Sequence, residues 1–143
     1  MRESVTILGV ASPYAWDVVE SLHRRGHDVV CVDNFGGADP RLPNLTELSE
    51  TLPRTAFTLG LSSAVHRSAA AHQAFATGWL VPTSVVDPTA VVPSTARIAH
   101  GAYLTAGVVL GSHAAIGCHA NVNRSSSIGH DSGHARTRLS AVR

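Results

Sequence analysis

Several things are scarce in this 143-residue chain. It has no lysine and no block of basic residues: eleven arginines against ten carboxylates leave a formal charge of +1. Such a balance supplies no electrostatic footprint for nucleic acid. It has no apolar run approaching the 18 or so residues that a membrane-spanning helix needs, so no membrane partner is expected. It has two cysteines, Cys31 and Cys118, 87 positions apart, which form neither a disulfide framework nor a spaced metal motif. The opening MRESVTILGV lacks the long apolar region and small-residue cleavage site of a secretory signal, and the chain is expected to be cytoplasmic with reduced thiols. What remains, 44% hydrophobic and 15% charged, is the composition of a chain that folds around a core.

The first eighty residues alternate strand and helix signals. Val5 to Val10 is a short apolar run. Ser12-Pro13 then suits a helix N-cap and first helical position, and Ala15, Val18, Val19 and Leu22 fall at i, i+3, i+4 and i+7. Arg24 and Arg25 occupy the last turn, and Gly26 stands where a left-handed residue ends a helix. Asp28 to Asp33 reads as a strand apolar on both faces, the pattern of a covered parallel sheet. Asn44 and Glu47 have capping-box spacing, with Leu45, Leu48 and Leu52 as the stripe of a short helix before Pro53. Thr55 to Leu61 is a third strand, and Ser62 or Ser63 caps a helix with Ala64, Ala71 and Phe75 on one face and Gly78 at its end. Residues 1–80 are expected to form a small doubly wound α/β unit.

From Val86 the pattern changes to a period of six: VDPTAV, VPSTAR, IAHGAY, LTAGVV, LGSHAA, IGCHAN, VNRSSS, IGHDSG. Eight consecutive hexads begin with an aliphatic residue, Val86 to Ile128, and the fifth place is always small. A fixed period means stacked units rather than a free-standing core. A period of six fits a parallel β-helix of triangular section, three hexads to the coil, with the aliphatic residue pointing inward. Residues eighteen apart then stack, placing Asp131 over His113, His130 over Ser112 and Cys118 over His100. His130 and Asp131, third and fourth in their hexad, should face outward at a corner. A histidine there is suited to take a proton near neutral pH, and the adjacent carboxylate can fix its tautomer.

The stretch Asn123 to Asp131 has the form N-x-x-x-x-[IV]-x-H-[DE], and residues 85–98, VVDPTAVVPSTARI, precede it. Both resemble the bacterial sugar O- and N-acetyltransferases, which include the sialic acid O-acetyltransferases and the UDP-aminosugar N-acetyltransferases; the resemblance runs over roughly residues 4–132. It implies a Rossmann-like unit over residues 1–80 that binds an acceptor sugar, UDP-linked in the family's manner, and a left-handed parallel β-helix over residues 81–133 that carries acyl transfer. It implies His130 as general base toward acetyl-CoA as acyl donor, Asp131 as the group that orients or tunes it, Asn123 as a positioning group, and a homotrimer. Acceptor contacts would come from Gly9, Ala11, Ser12, Asp33 and Asn34. A strand ending at Gly9 and feeding a helix N-terminus suits phosphate or ribose. The first loop departs from the family, with one glycine in GVASPYA where relatives have several.

After Gly133 the period breaks, and residues 134–143 carry three arginines and no hexad. The family's helix continues beyond its histidine; a backbone donor one coil on would be position 148, and a second histidine nine residues on would fall at Leu139. A truncation or frameshift is expected to underlie this tail. Two other functional classes fit parts of the pattern. One is a sugar-nucleotide-binding and trimerisation module without acyl transfer. The other is a metal-dependent hydratase like the γ-class carbonic anhydrases, drawing on His100, His113, His119 and His130, although their spacing departs from that family's; no metal is expected.

Overall fold

Residues 2–10, 12–32 and 56–134 are described by the computed structural model. The predicted capping box and helix around Asn44 to Leu52 lie outside them. Strand β1, Ser4–Leu8, alternates Val5 and Ile7 toward one face with Thr6 and Leu8 toward the other, and all four are buried, so it occupies the centre of a sheet. Strand β2, Asp28–Val32, pairs with it in parallel on one side and strand β3, Phe57–Leu59, on the other, giving the order β2-β1-β3.

Helix α1 runs Pro13–Arg24, with proline in the first turn and Ser12 at the N-cap. Its buried face is Ala15, Val18, Val19, Ser21 and Leu22, the expected apolar stripe plus one serine. Gly26 closes it at φ 80, and the His27 N–H reaches back to the Leu22 carbonyl at 3.1 Å. Helix α2, Ala64–Ala76, starts at Ser63, whose side chain accepts from the His66 N–H. Its buried stripe is Arg67, Ala70, Ala71 and Ala74. The expected stripe of Ala64, Ala71 and Phe75 is therefore rotated by part of a turn: Phe75 lies at the edge, packed edge-on against Phe57, while an arginine takes the centre.

The chain leaves the sheet without a free linker. The Val81 carbonyl accepts from the Phe57 N–H and the Thr83 N–H donates back to Phe57, so residues 81–83 run beside β3. The six-residue period then becomes eight two-residue strands: β4 Val85–Val86, β5 Arg97–Ile98, β6 Tyr103–Leu104, β7 Val109–Leu110, β8 Ala115–Ile116, β9 Asn121–Val122, β10 Ser127–Ile128 and β11 Gly133–His134. All pair in parallel at a spacing of eighteen residues, on three walls: β4-β6-β9, β5-β8-β11, and β7-β10 joined by a bridge from Val91. The pairing continues through His134, one place past the last aliphatic hexad. Inside the coil pack Ala102, Leu104, Val108, Leu110, Ala114, Ile116, Ala120, Val122 and Ile128, drawn from the first and fifth places of the hexads.

The corners explain why every sixth residue is constrained. Six successive fourth places, Gly101, Gly107, His113, His119, Ser125 and Asp131, have φ between 55 and 72. Each is the third residue of a four-residue turn, the position where a type II turn requires positive φ. The first wall, through Val85, Tyr103 and Asn121, is covered by α1, and Val85 and Tyr103 share a core with Val18 and Leu22. Buried Asp87 binds this junction from the coil side. It accepts from Ser21 Oγ at 2.6 Å, from the Arg24 guanidinium, and from the Thr89 N–H and hydroxyl. Burial works against the carboxylate, but these hydrogen bonds outweigh it and hold the group well below the usual range. No described helix is long and apolar enough to cross a membrane.

Candidate functional site

His130 and Asp131 form the corner that follows β10. Asp131 occupies the left-handed place, at φ 57, a conformation aspartate adopts more readily than most residues. Its N–H donates to the Ser112 carbonyl at 2.9 Å, which locks the corner onto the coil before it. His130 Nδ1 lies 3.0 Å from Asp131 Oδ2. An ionised carboxylate only accepts, so the contact assigns the proton to Nδ1 and leaves the Nε2 lone pair as a proton acceptor. The other carboxylate oxygen, Oδ1, stands 3.9 Å from His113 Nδ1, so Asp131 sits between imidazoles of successive coils. The His130 side chain is 82% exposed, leaving that lone pair open to whatever covers the corner.

Asn123 follows β9, at a different edge of the prism from His130. Seven residues apart in one motif, the two are not brought together within one chain. Asn123 instead lines a cleft of about 290 Å³ between the coil and α1, with Tyr14, Asp17, Thr105 and Arg124. The Tyr14 hydroxyl donates to Asn121 Oδ1 at 2.7 Å, and Asn121 Nδ2 donates to Asn123 Oδ1 at 3.2 Å. Arg124 pairs with Asp17 at 3.6 Å. Burial pushes the Tyr14 phenol well above its ordinary range, against an opposing effect of the Arg67 charge. Sequence patterns did not single out these partners: Tyr14 is an ordinary early residue of a helix, and Asn121 holds a variable outward place of its hexad.

Of the expected acceptor contacts, Gly9 ends β1 at φ 87 with its N–H on the Val32 carbonyl, and Ser12 begins α1 with no side-chain capping bond. They lie at the same end of the sheet, with Ser12's hydroxyl unspent on its own helix. Ala11, Asp33 and Asn34 lie outside the described residues.

At the third corner, Cys118 Sγ lies 3.8 Å from His100 Nδ1, and the His100 and His119 rings meet edge-on at 5.6 Å. Burial, aided by the Arg67, His100 and His72 charges, holds the His119 imidazole down at about 4. Among the described residues, no three histidine, cysteine, aspartate or glutamate side chains of one chain converge to hold a metal ion. Among those residues the zinc reading finds no intrachain ligand set.

No family model and no curated protein matches the chain. Solved structures do. A histidine-to-alanine variant of GDP-perosamine N-acetyl transferase from Caulobacter crescentus, in complex with CoA and GDP-perosamine, superposes with a TM-score of 0.80 at 22% identity, over 94% of this chain and 66% of that one. The acetyltransferase domain of PglB from Neisseria gonorrhoeae, in complex with acetyl coenzyme A, gives 0.78 at 20% identity, over 96% and 69%. PerB from Caulobacter crescentus, with CoA and GDP-perosamine, gives 0.75 at 24%, over 90% and 63%. The chain thus shares the fold of these N-acetyltransferases and spans about two thirds of their length.

Proposed function

We propose that this chain is an acetyl-CoA-dependent acetyltransferase acting on an amino or hydroxyl group of a nucleotide-activated sugar, with His130 as general base. The observation that carries the reading is the His130–Asp131 pair, a base with its tautomer set and its Nε2 open, on a fold shared with sugar-nucleotide N-acetyltransferases.

In this reading His130 Nε2 takes the proton of the acceptor amine or hydroxyl as that group attacks the thioester carbonyl of acetyl-CoA. The new bond to the acetyl carbon forms, the carbon–sulfur bond breaks, and the proton passes to the departing sulfur to give CoA thiol. Asp131 favours the imidazolium that forms in between and keeps Nδ1 as the protonated nitrogen. Residues 1–80 act as a Rossmann-like acceptor domain, with Gly9, Ala11, Ser12, Asp33 and Asn34 toward the nucleotide. Residues 81–133 act as the left-handed β-helix, followed by the tail at 134–143. The acceptor is a UDP- or GDP-linked aminosugar or a sialic acid-like sugar. A homotrimer sets the exposed corner against a neighbouring coil and so brings His130 of one subunit toward Asn123 of another. Val91 and Val109, apolar yet 58% and 43% exposed on the wall that precedes this corner, support such a seam.

The test is thiol release from acetyl-CoA with a panel of UDP- and GDP-linked aminosugars, comparing the chain with His130→Ala. The expected result is turnover that falls roughly 100-fold to 10,000-fold in the variant, the usual contribution of a general base. Sugar-nucleotide binding with no thiol release would replace the transferase by a binding module.

A further inference from the structure

Five described residues line the cleft beside α1, and most of their polar atoms are already committed. Thr105 Oγ1 donates to the Val122 carbonyl at 2.8 Å. Asp17 and Arg124 face each other at the rim, so their charges offset one another rather than call for a charged ligand. The Tyr14 hydroxyl donates to Asn121 Oδ1. Asn121 is 5% exposed, so both ends of its amide must be satisfied within the protein. With Oδ1 taken by Tyr14, its Nδ2 can only donate, and it does so to Asn123 Oδ1. That turns the Asn123 carbonyl toward Asn121 and leaves its amide N–H donors available to the cleft.

We infer that Tyr14 and Asn121 are positioning residues that fix which way round the Asn123 amide stands, so that the cleft presents an N–H donor and selects an acceptor sugar with a hydroxyl or carbonyl oxygen at that point. The identity of the ligand as an acceptor sugar rests on the acetyltransferase reading; the orientation of the amide does not. The relay has a definite polarity. An amide that turned over would set Nδ2 of Asn121 toward the Tyr14 hydroxyl and return a carbonyl to the cleft. The phenol decides between the two, because burial keeps it protonated and its proton needs an acceptor. A volume of about 290 Å³ is at the lower end for ligand pockets, a size for one sugar ring rather than a whole sugar nucleotide. The recognised group is neutral and oxygen-bearing, since the charges among the described lining residues, Asp17 and Arg124, are paired with each other.

Two substitutions in the full chain test this. Tyr14→Phe removes the donor that sets the polarity. Asn121→Asp keeps an acceptor for Tyr14 but turns a second acceptor toward Asn123, whose amide must then reverse and show its carbonyl to the cleft. The direct readout is the ¹H–¹⁵N side-chain amide spectrum. The Asn123 NH₂ pair is expected to move and exchange faster in Tyr14→Phe, and to become protected in Asn121→Asp, where it gains a carboxylate partner. Unchanged Asn123 resonances in both folded variants would overturn the inference. The kinetic readout is the acceptor KM, expected to rise about threefold to tenfold in Tyr14→Phe, the value of one neutral hydrogen bond, with a smaller effect on kcat. A deoxyfluoro analogue of the acceptor, which keeps an acceptor atom but no donor, is expected to bind the wild type better than Asn121→Asp, and equal binding also counts against the relay. Should the wild type acetylate none of the sugars, the transferase reading falls, and the amide spectra still decide the orientation.

Discussion

Gly111 shows how tightly the site is specified at single positions. A Cβ there would lie 2.4 Å from His130 N and 2.8 Å from the Gly129 carbonyl carbon, both backbone atoms of the corner stacked above it. No side chain can swing away to relieve this contact, so the corner that holds His130 must move. Gly111→Ala is expected to cost about 1–3 kcal/mol in stability, as overpacking does. Because an error of about 1 Å in placement can reduce a rate roughly 100-fold, the proposed acetyl transfer should fall by at least tenfold. Thermal unfolding and thiol release check both, and an alanine variant with full activity would show that the close approach is not what places His130. Asp131 illustrates the same constraint from the other side. Its left-handed backbone aims the carboxylate at His130, and the residues at the five preceding fourth places share that conformation although only two are glycine.

At the scale of elements, α2 is held by an unusual device. Arg67, fully buried, donates from Nε to the His119 carbonyl at 2.7 Å, from Nη1 to Leu59 and Leu61, and from Nη2 to Gly101. One planar guanidinium thus ties the end of β3 to two corners of the coil, which the rigid fork of donors allows and a lysine would not. Burial lowers its proton affinity, but an arginine stays charged under ordinary conditions. Arg67→Met would fill the space and leave four buried carbonyls without donors. We expect a loss of about 3 kcal/mol or more, since each buried group left unpaired costs about 1–3 kcal/mol. Urea unfolding measures it, and an unchanged midpoint would mean that water replaces the guanidinium at no cost. Helical periodicity foresaw α2 and a cap at Ser62 or Ser63, of which Ser63 serves, but put Phe75 in the stripe, because a charged residue carries no apolar signal even when it lies at the centre of the buried face.

For the whole molecule, acid acts through the junctions between the sheet, the helices and the coil. His119 titrates at about 4 in the folded chain against 6.5 in an unfolded one, so below pH 6.5 the unfolded state binds the proton first. Stability is therefore fully present above 6.5, declines as the pH falls toward 4, and is not lost further by this group below that. Asp87, depressed by its hydrogen bonds, adds a decline that begins near the ordinary carboxylate range at about 3.9 and continues downward. Replacing His119 with glutamine is expected to flatten the fall in melting temperature between pH 6.5 and 4 while leaving the lower limb in place. Parallel curves for the two proteins would exclude His119 as the source. The sequence by itself determined the six-residue period and hence the eighteen-residue pairing of the walls. It also determined α1 from Ser12 to Gly26 and the outward corner of His130 and Asp131. These are local or repeating signals, legible because each residue's role follows from its neighbours or from its place in the hexad. Only the tertiary structure decided that Tyr14 meets Asn121 across 107 positions, that Arg67 reaches His119 across 52, and that Asp87 receives Ser21 across 66. It also set Asn123 and His130, seven residues apart, on different edges of the prism. Such pairings come from docking α1 against one wall of the coil and α2 against its corners at Gly101 and His119, and a contact between distant segments leaves no periodic trace in either of them.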